Sequence, residues 1–225
     1  MKKWTKWLLL SLLAIMIIGG GWYTVNHFTN LTSNSSKVVK PKYVEKKNVK
    51  LVALGDSLTH GQGDETNNGG YVGVIKGKIE HRYHQTKVTT VNYGVTGDRS
   101  DQILDRLNQQ SQLRSDLRSA DVITMTVGGN DLMQILEKNV MGSERQVTSS
   151  VESGEKTYQQ KLIKLFDAVR KENPKAPIFV MSIYNPFYTY FPDVTIINKS
   201  INQWNPTTLD IMNNYKSMYF VNINK

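Results

Sequence analysis

The stretch Val49-Lys-Leu-Val-Ala-Leu-Gly-Asp-Ser-Leu-Thr-His-Gly61 decides the fold. Its apolar run, Leu51 to Leu54, stops at Gly55 and is followed at once by Asp56 and Ser57. This is the pattern of a buried strand that ends in a tight turn. Such a turn sets the Ser57 hydroxyl at the carboxyl edge of a sheet, where open α/β sheets bind their ligands, and makes Ser57 a candidate nucleophile by position. An ordinary polar turn after a strand reads the same way, so the rest of the chain has to decide.

Two later stretches supply what an acyl-transferring serine needs. Val88 to Gly97 reads as a second strand ending in glycine, and Val122 to Asp131 as a third ending in Gly128-Gly129-Asn130-Asp131. Both predicted strands end at the same sheet edge as Ser57. Attack on an ester carbonyl builds negative charge on its oxygen, and backbone N–H groups at glycine turns, with an Asn side-chain amide, are suitable fixed donors for it. Gly94 and Asn130 are therefore the candidate oxyanion partners, with the Ser57 N–H as a third.

These residues resemble the SGNH or GDSL hydrolases. Gly55-Asp56-Ser57-Leu58-Thr59 with Gly61 is similar to the first block of that family, Gly94 to its glycine block, and Gly128-Gly129-Asn130-Asp131 to its Gly-x-Asn-Asp block. The resemblance runs from Lys50 to the C-terminus. Gly63-Asp64-Glu65, Gly69-Gly70-Tyr71 and Tyr184-Asn185-Pro186 are most similar to its bacterial lipolytic branch. It implies hydrolysis of carboxylic esters, acyl or acetyl, on lipids or surface glycans, with no cofactor and no metal. Asp56 is expected to organise the turn, Gly128 to support the third block, and Asp131 to cap the helix that follows it. A surface binding module that keeps the fold without the chemistry is the competing reading, because fold alone does not decide function.

Strand and helix patterns alternate along the domain, which predicts a parallel sheet covered by helices on both faces, a flavodoxin-like three-layer α/β/α sandwich. Val72, Ile75 and Ile79 place a helix over Tyr71 to Tyr83. Ser100 and Asp101 open a helix running through about Ser119. Met141 to Glu155 reads as a polar loop leading into an amphipathic helix with Tyr158, Leu162, Leu165, Phe166 and Val169 on one face, closed by Asn173-Pro174. Strands are expected at Ile178 to Ile183 and Met218 to Ile223, with a helix from about Thr195 to Ser217 between them. The aromatic segment Tyr184 to Pro192 lies at the catalytic edge, as an acyl pocket or a lid.

The net charge of +9 belongs to one end of the chain. Residues 1–50 carry nine Lys and one Glu, whereas residues 51–225 carry 19 basic and 18 acidic side chains. That division argues against nucleic-acid binding and for membrane topology. Lys2, Lys3 and Lys6 precede an uncharged run of 20 residues, Trp7 to Asn26, long enough at about 1.5 Å per residue to span about 30 Å of hydrocarbon. Residues 1–27 are accordingly expected to be a single-pass transmembrane signal anchor that holds the hydrolase outside the cell. The domain is secreted if the segment is cleaved after Gly19-Gly20-Gly21. Residues 28–48 read as a basic polar linker whose lysines either rest on anionic lipid or wall polymer or are solvated. Residues 49–225 form the globular domain. The absence of Cys excludes a lipid-modified cysteine, disulfides and zinc–thiolate sites. Oligomeric state is left open.

The resemblance also implies a general base from an Asp-x-x-His block after the fifth strand, and no such block is present. The four histidines are His27, His60, His81 and His84. His60 shares the tight loop of Ser57 and has no catalytic role by the resemblance, while His81 and His84 read as surface residues. The expectation is a C-terminally truncated form with severely reduced hydrolase activity and an uncovered apolar sheet face.

Overall fold

The computed structural model describes residues 46–188 and 195–224. The proposed transmembrane segment, the linker up to Val44 and Glu45, and the part of the aromatic segment from Thr189 to Pro192 lie outside the described residues. Among the described residues, no helix is long and apolar enough to cross a membrane.

Five strands, β1 (Asn48–Gly55), β2 (Lys87–Gly94), β3 (Val122–Thr126), β4 (Ile178–Met181) and β5 (Met218–Val221), pair in parallel in the order β2-β1-β3-β4-β5. This is the flavodoxin-like order, and its direction reverses between β1 and β3. β1 lies at the centre, with Leu51, Val52, Ala53 and Leu54 wholly buried on both faces, which is why its sequence is a continuous apolar run instead of an alternating one. Register pairs Gly55 with Gly94 and Leu54 with Met125, so the turns after β1, β2 and β3 open at the same level. Ahead of β1, Lys46 pairs with Asp121, and the Lys47 carbonyl accepts from Lys87 N at 2.7 Å.

The helices are α1 (Ser57–His60), α2 (Gly70–Arg82), α3 (Ser100–Gln109), α4 (Ser111–Arg118), α5 (Gly129–Lys138), α6 (Glu144–Glu172) and α7 (Thr195–Met212). On one face of the sheet, α2 sets Val72, Ile75 and Ile79 against Leu51, Ala53 and Val88. The other face carries the main core. There Val52, Leu54, Ile123 and Val180 meet Leu107 of α3, Leu117 of α4, Leu162 and Phe166 of α6, and Trp204 of α7. Tyr158 and Trp204 stack at 4.8 Å and 15° to join α6 to α7. The hydrophobic cluster on the α2 face extends no further across the sheet than Val122. Beyond it Phe179 stacks on Tyr219 at 5.2 Å, and Tyr219 is 51% exposed.

The structure corrects the sequence reading at three elements. The single helix expected from Ser100 to about Ser119 breaks at Gln110 (φ −96°, ψ 105°) into α3 and α4. Ile103 and Leu107 form one apolar stripe and Leu113 and Leu117 another, and the six-residue step between them fits no single stripe of period 3.6. The break lets both stripes face the core. The polar segment read as a loop up to Glu155 is helical from Glu144, where Gln146 Oε1 accepts from Ser143 N at 2.8 Å in a capping box. Val147 and Val151 carry its apolar stripe toward Tyr158. The helix Thr195–Met212 ends before Ser217.

Asp116 joins α4 to the sheet: Lys50 Nζ donates to Oδ1 at 2.6 Å and the Tyr93 hydroxyl to Oδ2 at 2.6 Å. The Lys50 and Tyr93 hydrogen bonds hold the Asp116 carboxyl down to about 2. A depressed carboxyl contributes stability that is present above its unfolded value of 3.8 and is lost as pH falls toward 2. The difference in urea midpoint between wild type and Asp116→Asn should therefore be positive at pH 5 and shrink toward pH 2. A difference that stays constant across that range contradicts the assignment.

Candidate active site

The site is built where β1, β2 and β3 end. Gly55 closes β1, and Asp56 then N-caps α1, its Oδ1 accepting from Leu58 N at 3.0 Å. Ser57 is thereby the first residue of a helical turn. Its hydroxyl has no hydrogen-bond partner among the described residues. Ser57 lines a cavity of about 170 Å³ together with Asp56, Asn130, Ser182, Tyr184 and Ile197. The structure thus brings the first and third predicted blocks together, with the start of the aromatic segment at their rim.

Beneath the turn lies a buried hydroxyl network. Thr126 Oγ1 donates to Asp56 Oδ1 at 2.7 Å, accepts from Asp56 N at 3.2 Å and lies 2.8 Å from Thr59 Oγ1. Tyr71 joins it, its hydroxyl 2.9 Å from Thr59 Oγ1 and donating to Thr124 Oγ1 at 3.2 Å. Burial pushes the Asp56 carboxyl up from its ordinary value, partly offset by the Thr126 hydroxyl and the Leu58 N–H. Sequence reading names Thr59 and Tyr71 within their motifs without giving them this role, and it passes over Thr126. The available signal was Thr124 and Thr126 at alternate positions of an otherwise apolar strand, both on one buried face.

Asn130 Nδ2 donates to the Asp98 carbonyl at 2.8 Å. An amide nitrogen carries two hydrogens, so one of the two is committed there. The Gly94 N–H donates to Asn92 Oδ1 at 2.8 Å, and Gly94 is not among the residues lining the Ser57 cavity. What Gly94 does visibly is let the serine turn approach. A Cβ there would lie 2.1 Å from His60 N and 2.5 Å from the Thr59 carbonyl carbon. Gly128 is constrained twice, by φ of 98° and by the Tyr158 hydroxyl, 2.6 Å from where a Cβ would stand.

Asp131 was expected to cap its own helix, and here the structure differs. The N-cap of α5 is Gly128, and the Asp131 carboxylate accepts from Ser100 N at 2.8 Å and Ser100 Oγ at 2.6 Å, capping α3 instead. The reason is burial: Asp131 is 6% exposed and faces the start of α3, whose free N–H groups need an acceptor. Desolvation raises its carboxyl, while Ser100 and the charge of Lys161 pull it down.

His60 Nδ1 lies 3.3 Å from the Gly94 carbonyl, and His60 lines an open polar basin with Gln62, Asp64 and Thr96, apart from the residues that line the Ser57 cavity. The His81 and His84 rings sit edge to face at 6.0 Å on and just after α2. None of these three lines the Ser57 cavity. Among the described residues, no group of three or more His, Asp or Glu could hold a metal ion.

Residues 53–224 match the model of the GDSL-like lipase/acylhydrolase family. The chain belongs to this family. The chain is 32% identical over 174 residues to the uncharacterized Bacillus subtilis protein YpmR, covering 77% of this chain and 66% of YpmR. It is 30% identical over 158 residues to the spore germination lipase LipC of Bacillus licheniformis, covering 70% of this chain and 72% of LipC. The fold is similar to that of the lipase Lip_vut3 from a goat rumen metagenome, with TM-score 0.66 at 24% identity over 77% of this chain and 80% of that one. It is also similar to that of AlinE4, an SGNH-hydrolase esterase, with TM-score 0.52 at 19% identity over 79% and 77%.

The contact at Gly94 gives a direct test. Gly94→Ala forces the α1 backbone to move, and overpacking of this kind costs about 3 kcal/mol. Urea denaturation should show that loss, and a change within about 0.5 kcal/mol, the range of an uninvolved surface site, contradicts the packing.

Proposed function

We propose that this protein is a serine hydrolase of carboxylic esters with Ser57 as its nucleophile. The observation that carries the reading is the unpartnered Ser57 hydroxyl at the sheet's carboxyl edge, opening into a cavity it shares with Asn130. Attack of Ser57 Oγ on an ester carbonyl forms a tetrahedral oxyanion. The Ser57 N–H and the second Asn130 amide hydrogen are the donors for it, and Gly94 N–H joins them on leaving Asn92. One such donor is worth about 3 kcal/mol. Asp56 and the threonine network hold the nucleophile's turn and stay out of the chemistry.

An acyl chain is the favoured acid portion of the substrate. A second cavity of about 400 Å³, lined by Leu136, Val140, Val147 and Ile196, shares Met133 and Ile197 with the Ser57 cavity. Such an apolar extension rewards methylenes and offers an acetyl group nothing. The designation of LipC as a lipase supports the same choice of lipid over acetylated glycan. The location proposed is the outer face of a membrane, supported by the Lys-flanked apolar run of residues 1–27.

A serine hydroxyl needs a base to take its proton, and the three described histidines lie away from the cavity. Three outcomes are expected from this. Hydrolysis of aryl esters by the full chain should be slow, should rise with added imidazole, and should vanish in Ser57→Ala. Equal rates with and without Ser57 sink the hydrolase reading and favour the binding module; ordinary enzyme rates without imidazole point to a base within the chain, with His60 the first to substitute.

The groove makes a separate prediction. Each methylene it buries contributes about 0.8 kcal/mol, or about fourfold in kcat/KM. Octanoyl esters should therefore outrun acetyl esters, and Val140→Asp, at a position 76% exposed, should remove that preference while sparing acetyl ester hydrolysis. An unchanged preference rules the groove out as the acyl site.

A further inference from the structure

Arg106 lies on α3, outside all three strand-end blocks; its guanidinium reaches the first two directly and is linked to the third through Asp98. Nε donates to Asp98 Oδ2 at 2.6 Å, Nη1 to the Tyr93 carbonyl at 3.0 Å and Nη2 to the Gly55 carbonyl at 3.2 Å. Gly55 is two residues before Ser57, and Tyr93 immediately precedes Gly94. Asp98 carries the carbonyl that accepts from Asn130 Nδ2 at 2.8 Å. The three acceptors are taken by three different nitrogens of one planar group. The ion pair with Asp98 is well shielded, with side chains 16% and 11% exposed.

We propose that Arg106 is a positioning residue that fixes the Ser57 turn, the Gly94 turn and the Asn130 amide relative to one another. β1 and β2 already meet at their ends through Val95 N donating to the Gly55 carbonyl at 3.0 Å. The Asp98 loop is linked to that junction through its own N–H, which donates to the Val95 carbonyl at 3.2 Å. Arg106 closes the remaining side by joining the Asp98 carboxylate to the ends of both strands. A guanidinium suits this task because its donors leave in fixed directions within one plane. A lysine ammonium is a single point of charge on a flexible stem and cannot occupy three acceptors set apart in this way. The inference rests on the hydrolase reading for its catalytic consequence, since nucleophile and oxyanion donors must be held to within a fraction of an ångström to act together.

The test follows labelling of Ser57 by an alkyl fluorophosphonate in the full chain, with imidazole present, beside thermal unfolding and the exchange rate of the Asn130 side-chain amide protons by NMR. Arg106→Lys should remain folded but label about 10²-fold more slowly, the size of effect produced by a misplacement near 1 Å. Its Asn130 amide protons should exchange faster than in wild type. In Arg106→Ala, guanidinium ion should restore part of the labelling rate and ammonium at the same concentration should not. If Arg106→Ala does not fold, Arg106→Lys decides. Wild-type labelling and wild-type Asn130 exchange in Arg106→Lys overturn the proposal, as does a labelling loss in Arg106→Lys that only parallels a loss of folded protein. If wild type itself is not labelled, the hydrolase reading fails separately. The Asn130 exchange then judges Arg106 alone: faster exchange in Arg106→Lys upholds the positioning role and unchanged exchange overturns it.

Discussion

The hydroxyl of Thr126 holds the turn on which the site depends. It donates to the Asp56 carboxylate, accepts from the Asp56 N–H and touches Thr59 Oγ1, so both sides of the Ser57 turn are fastened to β3 at one atom. The arrangement answers an energetic problem. A carboxylate buried without partners costs several kcal/mol, and Asp56 is 6% exposed. The Thr126 hydroxyl and the Leu58 N–H supply those partners, and in doing so they fix the start of the helical turn that presents Ser57. The polar network and the presentation of Ser57 are two consequences of one burial.

Parallel pairing supplies the second constraint. Because every strand runs the same way, the turns after β1, β2 and β3 emerge on one edge, and the reversal of strand order between β1 and β3 leaves a crevice there. Ser57 and Asn130 sit at its two sides. The helices serve this edge unequally. α3 contributes Ser100, which receives the Asp131 carboxylate, and Arg106, which grips the strand ends, while α6 supplies Tyr158 beneath Gly128. The core helices therefore hold the site, and α5, the first turn of α6 and α7 form the walls of its apolar extension.

Much of this was legible in the sequence because it is local. The apolar run of β1, the abrupt Gly-Asp-Ser, the helical stripe from Tyr158 to Val169 and the glycines at the ends of β1, β2 and β3 are written in residues a few positions apart. Their alternation implied the parallel sheet. The extent of α6 was hidden because its first turns are polar, and the capping box at Ser143 and Gln146 is a weak signal without an apolar run directly behind it. The break at Gln110 was present in the spacing of Leu107 and Leu113, which departs from a helical stripe.

The sequence by itself determined the strand ends, the turn that carries Ser57 and the residue types around it, because these follow from local hydrophobic pattern and turn chemistry. Only the tertiary structure decided which partners those residues take. Asp131 caps α3 and not its own helix, Asn130 is held by Asp98, Gly94 is glycine because the backbone of His60 lies against it, and Arg106 spans from residue 55 to residue 106. Each is a contact between segments 31 or more residues apart. The physical reason is that a hydrogen bond or steric contact depends on position in space, and the positions of distant segments are fixed only when the sheet has paired and the core helices have packed upon it.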